Sequence, residues 1–177
     1  EFRRVLFRSV VSTVMSNLGF ERYLAGLGLG LERTAVGDRY VVEAMRSKGF
    51  NIGGEQSGHI ILTDYSTTGD ALIAALQTLA VLVEKDVPVS QAGRAWSHIP
   101  QQLRNVRHSG GRVHEHAEVQ KAIESAKAKL GKMGRVLVRP SGTEPLIRVM
   151  VEAEDQALVA ALMDDITHAV ERASRAS

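Results

Sequence analysis

Residues 139–145 read Arg-Pro-Ser-Gly-Thr-Glu-Pro and stand between two strand-like runs. No other stretch constrains the fold as much. Arg135, Val136, Leu137 and Val138 lead in, and Leu146, Ile147, Arg148, Val149, Met150 and Val151 lead out. Pro, Ser and Gly are turn formers, so the whole reads as two strands joined by a short loop. Such a loop places its groups accurately. It offers the Arg139 guanidinium, the hydroxyls of Ser141 and Thr143, and N–H groups around Gly142, a residue for which positive φ is accessible. Arg148 follows close behind. A planar guanidinium matches two phosphate oxygens at once, which makes this loop equipment for gripping a phosphate. Each charge-assisted hydrogen bond of that kind contributes about 1.5–3 kcal/mol. The same residue types also build an ordinary turn, and Glu144 offsets part of the charge and could pair with Arg139.

A second motif runs from Gly53 and Gly54 through Glu55, Gln56, Ser57, Gly58 and His59 into Ile60, Ile61 and Leu62. Side chains alternate between faces in an extended chain, so an extended stretch would project Glu55, Ser57 and His59 the same way. A carboxylate, a hydroxyl and an imidazole in line suit a polyol, since a carboxylate accepts from two neighbouring hydroxyls. The flanking glycines leave room for a ligand near the backbone. The competing reading is a solvated hairpin edge.

The patterning around these motifs predicts an α/β protein. Strands are expected at 10–15 and 31–36, with helices at 18–27 and 38–48. The second helix turns Val41, Val42 and Met45 inward and stops at Gly49. Strand–helix–strand–helix order predicts a layered unit with mostly parallel strands. A helix at 71–85 follows, capped from Thr67, Thr68 and Asp70. It is apolar nearly all round, which predicts packing on several sides. Pro88 and Ser90 open a short helix that could include Trp96, read as a packing residue. Pro100 marks a boundary, after which the pattern becomes β-α-β-β-α. Strands are expected at 102–107, 135–138 and 146–151, a turn at 109–111, and helices at 115–130 and 156–173. This predicts a small sheet with its helices on one face.

Together the two motifs resemble those of the α-D-phosphohexomutase superfamily. Residues 54–59 resemble the sugar-binding loop of its third domain and residues 139–145 the phosphate-binding loop of its fourth. The Pro-Ser-Gly-Thr-Glu-Pro form, with residues 36–41 and 10–17, is most similar to the bacterial aminosugar branch. The resemblance covers about residues 10–174. It implies a truncated layered α/β/α domain over 10–99, followed by a small α+β domain over 100–177. Residues 1–9 fit neither and read as a non-native or truncation segment. It also implies an isomerase interconverting glucosamine 6-phosphate and glucosamine 1-phosphate, through a phosphoserine and a bisphosphate intermediate. That step belongs to aminosugar nucleotide and peptidoglycan precursor synthesis. Glu55, Ser57 and His59 would hold the sugar. Arg139, Ser141, Gly142, Thr143 and Arg148 would hold the phosphate that is not reacting. Phosphomannomutase or phosphoglucomutase activity, or a non-catalytic phosphosugar-binding module, are the alternatives.

The family's phosphoserine loop and its aspartate-rich magnesium loop have no match here. Asp164 and Asp165 diverge by about 100° on a helix and make a poor ion cage. His114 and His116 lack the i, i+4 spacing of a helical zinc site. The chain therefore reads as the C-terminal part of a longer enzyme, inactive alone, whose Mg2+ and catalytic serine come from N-terminal domains. The complete enzyme could be a homodimer. Lysine plus arginine number 22 against 20 acids, and aromatic residues make up 5%. That balance gives no basic, aromatic surface for nucleic acid. No apolar run is long enough for a membrane span. With no cysteine there is no disulfide framework, and a cytoplasmic setting is the expectation.

Overall fold

The computed structural model describes residues 9–108 and 110–176. They form two units, the first ending at His98 and the second beginning at Ile99.

The first unit opens with β1 (Ser9–Thr13), α1 (Leu18–Gly26), β2 (Gly30–Thr34) and α2 (Asp38–Lys48). β3 (Ile52–Gly54) and β4 (Ile60–Leu62) complete a sheet of order β2-β1-β3-β4. β1 runs parallel to β2 and β3, while β3 and β4 are antiparallel. The expected segment boundary at residue 9 shifts, because Ser9 already pairs with Gly30. Residues 1–8 of that segment lie outside the described residues. Asn17 caps α1 by accepting from Gly19 N–H, and Gly49 ends α2 in the left-handed region. The α2 stripe closes on the sheet: Val11, Val41, Met45 and Ile61 are fully buried together. Each contributes about 1.5–3 kcal/mol by leaving water.

α3 (Ala71–Lys85) has the expected bounds, with Asp70 accepting from Leu72 and Ile73 N–H. Its packing differs from the expectation. Ala74 is its one buried residue, while Leu72, Leu76 and Val83 are 77%, 63% and 82% exposed. Apolar composition shows what a helix can pack with, but only neighbours bury it. Within this unit α3 meets β4 along one side. α4 (Val89–Ala92) is a single turn that stops short of Trp96. Trp96 instead packs between Phe20 and His98, with ring centroids 5.6 and 4.2 Å away.

The second unit has β5 (Gln101–Arg107), α5 (Ala117–Leu130), β6 (Gly134–Pro140), β7 (Leu146–Ala153) and α6 (Gln156–Ala176). Its antiparallel sheet has the order β5-β7-β6. α5 begins two residues later than expected, because residues 113–115 form a 3-10 turn and His116 becomes the cap. Ser109 of the expected turn lies outside the described residues; Gly110 and Gly111 both have positive φ. Val119, Ile123, Val159, Leu162, Ile166 and Val170 from the helices meet Ile147, Val149 and Val151 of β7 in one core. Both helices thus cover one face. Alternation sends Arg135, Leu137 and Arg139 of β6, with Arg148, Met150 and Glu152 of β7, to the other.

Among the described residues, no helix is long and apolar enough to cross a membrane.

Candidate functional site

The β6–β7 hairpin holds the 139–145 motif. Its connection closes tightly, with Ser141 N–H donating to Leu146 O at 2.8 Å and Leu146 N–H to Glu144 O at 2.7 Å. β5 adds a brace, His108 N–H to Pro145 O at 3.1 Å. Arg139 and Arg148 are direct partners in the β6–β7 ladder, so their side chains share a face. Both are half-buried, and the Nε atoms of both are buried with no acceptor among the described residues. Burial lowers the Arg139 pKa, and the Arg148 charge lowers it further. Arg148 reaches Ser141 Oγ at 3.5 Å and Glu144 Oε2 at 3.6 Å. The expected Glu144–Arg139 pairing is therefore replaced by a loose contact with Arg148.

One expectation for this loop fails. Gly142 is absent from the glycines with positive φ, so it does not shape an anion nest by a left-handed turn. Its contribution is open space, since nothing lies within 4 Å of the position a Cβ would take. Gly142 and Thr143 are exposed, and Ser141 is half-buried beside Arg148. The arrangement is two guanidinium groups beneath an open loop with hydroxyls, which suits a dianion such as a phosphate monoester.

The second motif is not one extended strand. The chain reverses after Gly54 and returns at Ile60, so residues 55–59 form the tip of the β3–β4 hairpin. Gly58 N–H donates to Glu55 O at 3.1 Å, and Glu55 N–H to His59 O at 2.9 Å. Gly58 sits at φ +99°, a conformation that glycine adopts at little cost. The expected row of alternating side chains is overturned by this turn. Glu55 and His59 face each other across the hairpin instead, and Ser57 Oγ lies 3.0 Å from His59 Nδ1. Glu55, Gln56 and His59 line an open hollow of about 360 Å³ together with Ser12, Asn17 and Trp96. Ser57 is not in its wall and is linked to it by this contact with His59. Gln56 was missed by the alternation argument, and the Ser57-Gly58 turn signal could have found it. A hollow of about 710 Å³ between α2 and residues 67–69 holds none of the candidate residues.

Asp164 pairs with Arg104 at 2.7 Å and Asp165 with Lys129 at 3.7 Å. No group of three His, Cys, Asp or Glu among the described residues could hold a metal ion.

Two family models match the chain: phosphoglucomutase/phosphomannomutase, alpha/beta/alpha domain III, over residues 4–98, and phosphoglucomutase/phosphomannomutase, C-terminal domain, over residues 102–169. The chain belongs to the phosphoglucomutase/phosphomannomutase family. Within that family it is similar to proteins named phosphoglucosamine mutase. The one from Methylobacterium radiotolerans is 54% identical over 98% of this chain and 39% of its own length. The one from Caulobacter vibrioides is 60% identical over 93% of this chain and 37% of its own. The chain thus spans about two fifths of the length of these curated relatives. Among solved structures, Aspergillus fumigatus N-acetylphosphoglucosamine mutase matches with a TM-score of 0.81 at 23% identity, over 94% of this chain and 38% of that one. Another structure of that enzyme, in complex with GlcNAc-6P and magnesium, matches with a TM-score of 0.78 at 22% identity, over 94% of this chain and 39% of that one. At these identities the likeness establishes the family fold.

Proposed function

We propose that this chain carries the sugar- and phosphate-recognition part of a phosphoglucosamine mutase, interconverting glucosamine 6-phosphate and glucosamine 1-phosphate. The observation that carries the reading is the Arg139–Arg148 pair, two half-buried cations side by side with orphaned Nε atoms. A protein gains nothing in stability from that juxtaposition, whereas a phosphate dianion between the two groups satisfies both. The aminosugar assignment is supported by relatives of that name at 54% and 60% identity.

In this reading residues 100–177 hold the non-reacting phosphate through Arg139, Arg148, Ser141 Oγ, Thr143 Oγ1 and the open backbone at Gly142. Residues 10–99 read the sugar. Glu55 accepts from ring hydroxyls, and His59, oriented by Ser57, adds a further polar contact. Positioning of this kind lowers the barrier to phosphoryl transfer by fixing the substrate before charge moves. Magnesium accompanies the fungal enzyme in its solved complex. The described residues here do not fit it, because no three potential ligands converge. We assign metal and phosphoserine chemistry to parts of the enzyme outside this chain.

The family models are named for phosphoglucomutase and phosphomannomutase, so a neutral hexose phosphate is the second reading. Calorimetric titration with glucosamine 6-phosphate, mannose 6-phosphate and glucose 6-phosphate tests both. Preference for the aminosugar supports the first reading, and preference for a neutral hexose phosphate overturns it.

A further inference from the structure

Ser12 is one of few buried polar residues in the first unit, 6% exposed, and no recognition role falls to it in the reading above. It ends the shared ladder between β1 and β3, where the last register pair is Ser12 with Gly54. Beyond Gly54 the chain enters the 55–59 tip with no further strand pairing to β1. The Ser12 hydroxyl adds one more tie at this point, donating to Gly54 O at 2.7 Å. A hydroxyl has one proton to give. The 2.5 Å contact between Ser12 Oγ and Ser16 Oγ therefore has Ser16 as its donor. Ser16 is fixed in turn, because Arg33 Nη1 donates to its carbonyl at 2.6 Å and Arg33 pairs with Glu21 at 2.9 Å. The series runs from α1 and β2, through the β1–α1 loop, to the root of the hairpin.

The root transmits its position to the tip. A Cβ on Gly54 would lie 2.7 Å from His59 O, so the two backbones are in contact there. His59 O is also the acceptor for Glu55 N–H. Displacing Gly54 O therefore moves Glu55 and His59 as a pair. The geometry points to Ser12 as a positioning residue, oriented by Ser16, that sets where Glu55 and His59 stand over the hollow. This inference rests on the reading that the 55–59 tip recognises the sugar.

Amide hydrogen exchange on the chain, with Ser12→Ala, Ser16→Ala and Ser12→Thr, tests it. In Ser12→Ala the Glu55 and Gly58 amides exchange about tenfold faster, the factor one lost buried hydrogen bond corresponds to. Amides of α2 and of the β5–β7 sheet keep their rates. Ser16→Ala, which keeps the Ser12 hydroxyl but frees it to rotate, shows the same pattern at smaller size. Ser12→Thr restores wild-type exchange at the tip. A uniform rise across the first unit in both alanine variants, or unchanged exchange at Glu55 and Gly58, overturns the positioning role. Titration with glucosamine 6-phosphate, followed at the same amides, separates this from the sugar reading. If wild-type amides at 55–59 do not respond to the sugar while exchange behaves as stated, the sugar reading fails and the positioning of the hairpin by Ser12 stands.

Discussion

Arg139 and Arg148 occupy facing positions in the β6–β7 ladder, with both Nε atoms buried and unpaired among the described residues. Like charges placed directly opposite in a sheet destabilise it. Burial lowers the Arg139 pKa first and Arg148 lowers it further, so folding disfavours the charged form. A cation whose folded pKa lies below its unfolded value costs stability at every pH below the folded value, and the cost lifts only as pH rises through it. For arginine that window is strongly alkaline. At neutral pH, an anion held between the two guanidinium groups, as proposed, would offset this repulsion.

Arg139→Met keeps the apolar stem and removes the charge. Without added anion, its melting temperature is expected to equal or exceed that of the wild type. With millimolar inorganic phosphate the wild type gains stability by mass action and the variant gains less. The affinity for phosphate falls about tenfold to a hundredfold, as expected for one lost charge-assisted contact. Differential scanning fluorimetry across a phosphate series reads both quantities. A variant that melts lower without anion, yet responds fully to phosphate, contradicts the assignment.

On the proposed reading Glu144 would compete with a phosphate for Arg148, its Oε2 lying 3.6 Å from Nη2. Glu144→Gln removes the competing charge and keeps the shape. Phosphate affinity is expected to rise about twofold to fivefold, in keeping with the small energies of exposed ion pairs. The gain shrinks at high salt, which screens such contacts. Isothermal titration at two ionic strengths checks both, and weaker binding by the variant would show that Glu144 assists the anion instead.

The β6–β7 hairpin was legible because its signals are local. Two β-branched runs flank a turn whose residue types carry both the geometry and the chemistry. The bounds of α2 and α3 were legible for the same reason, since Gly49 and Asp70 write the stop and the cap into the sequence. The 55–59 tip was misread because alternation assumes an extended chain, and Gly58 at positive φ reverses it. The facing of Arg139 and Arg148 depends on hairpin register, which residue types leave open by one step. The bareness of α3 depends on which neighbours exist, and that is not encoded in its own residues.

Leu72, Leu76 and Val83 of α3 project into solvent, so replacing them should leave the folded unit intact. Leu72→Glu, Leu76→Lys and Val83→Lys together are expected to change stability by only about 0.5 kcal/mol per site. Binding of a hydrophobic dye and self-association should both drop, because a contiguous apolar patch is what drives them. Urea unfolding and analytical ultracentrifugation check the two halves. A loss of several kcal/mol would mean that these side chains are buried in the folded chain.

Glu152 is fully buried on the same sheet face as Arg139, and Arg135 Nε donates to its Oε1 at 2.7 Å. Arg135 retains some solvent access, with its side chain 21% exposed, so the two partners are not equivalent. Removing one partner of a buried pair is costly chiefly because the other is left uncompensated. Arg135→Met removes this charged partner of the fully buried carboxylate and should cost about 3–5 kcal/mol. Glu152→Gln leaves a cation that can still reach water and keeps a hydrogen-bond acceptor for it. That variant is expected to cost less, about 1–3 kcal/mol. Chemical denaturation of the two variants reads the asymmetry directly. Equal losses, or a larger loss for Glu152→Gln, would show that the arginine rather than the carboxylate is the group that depends on the pair.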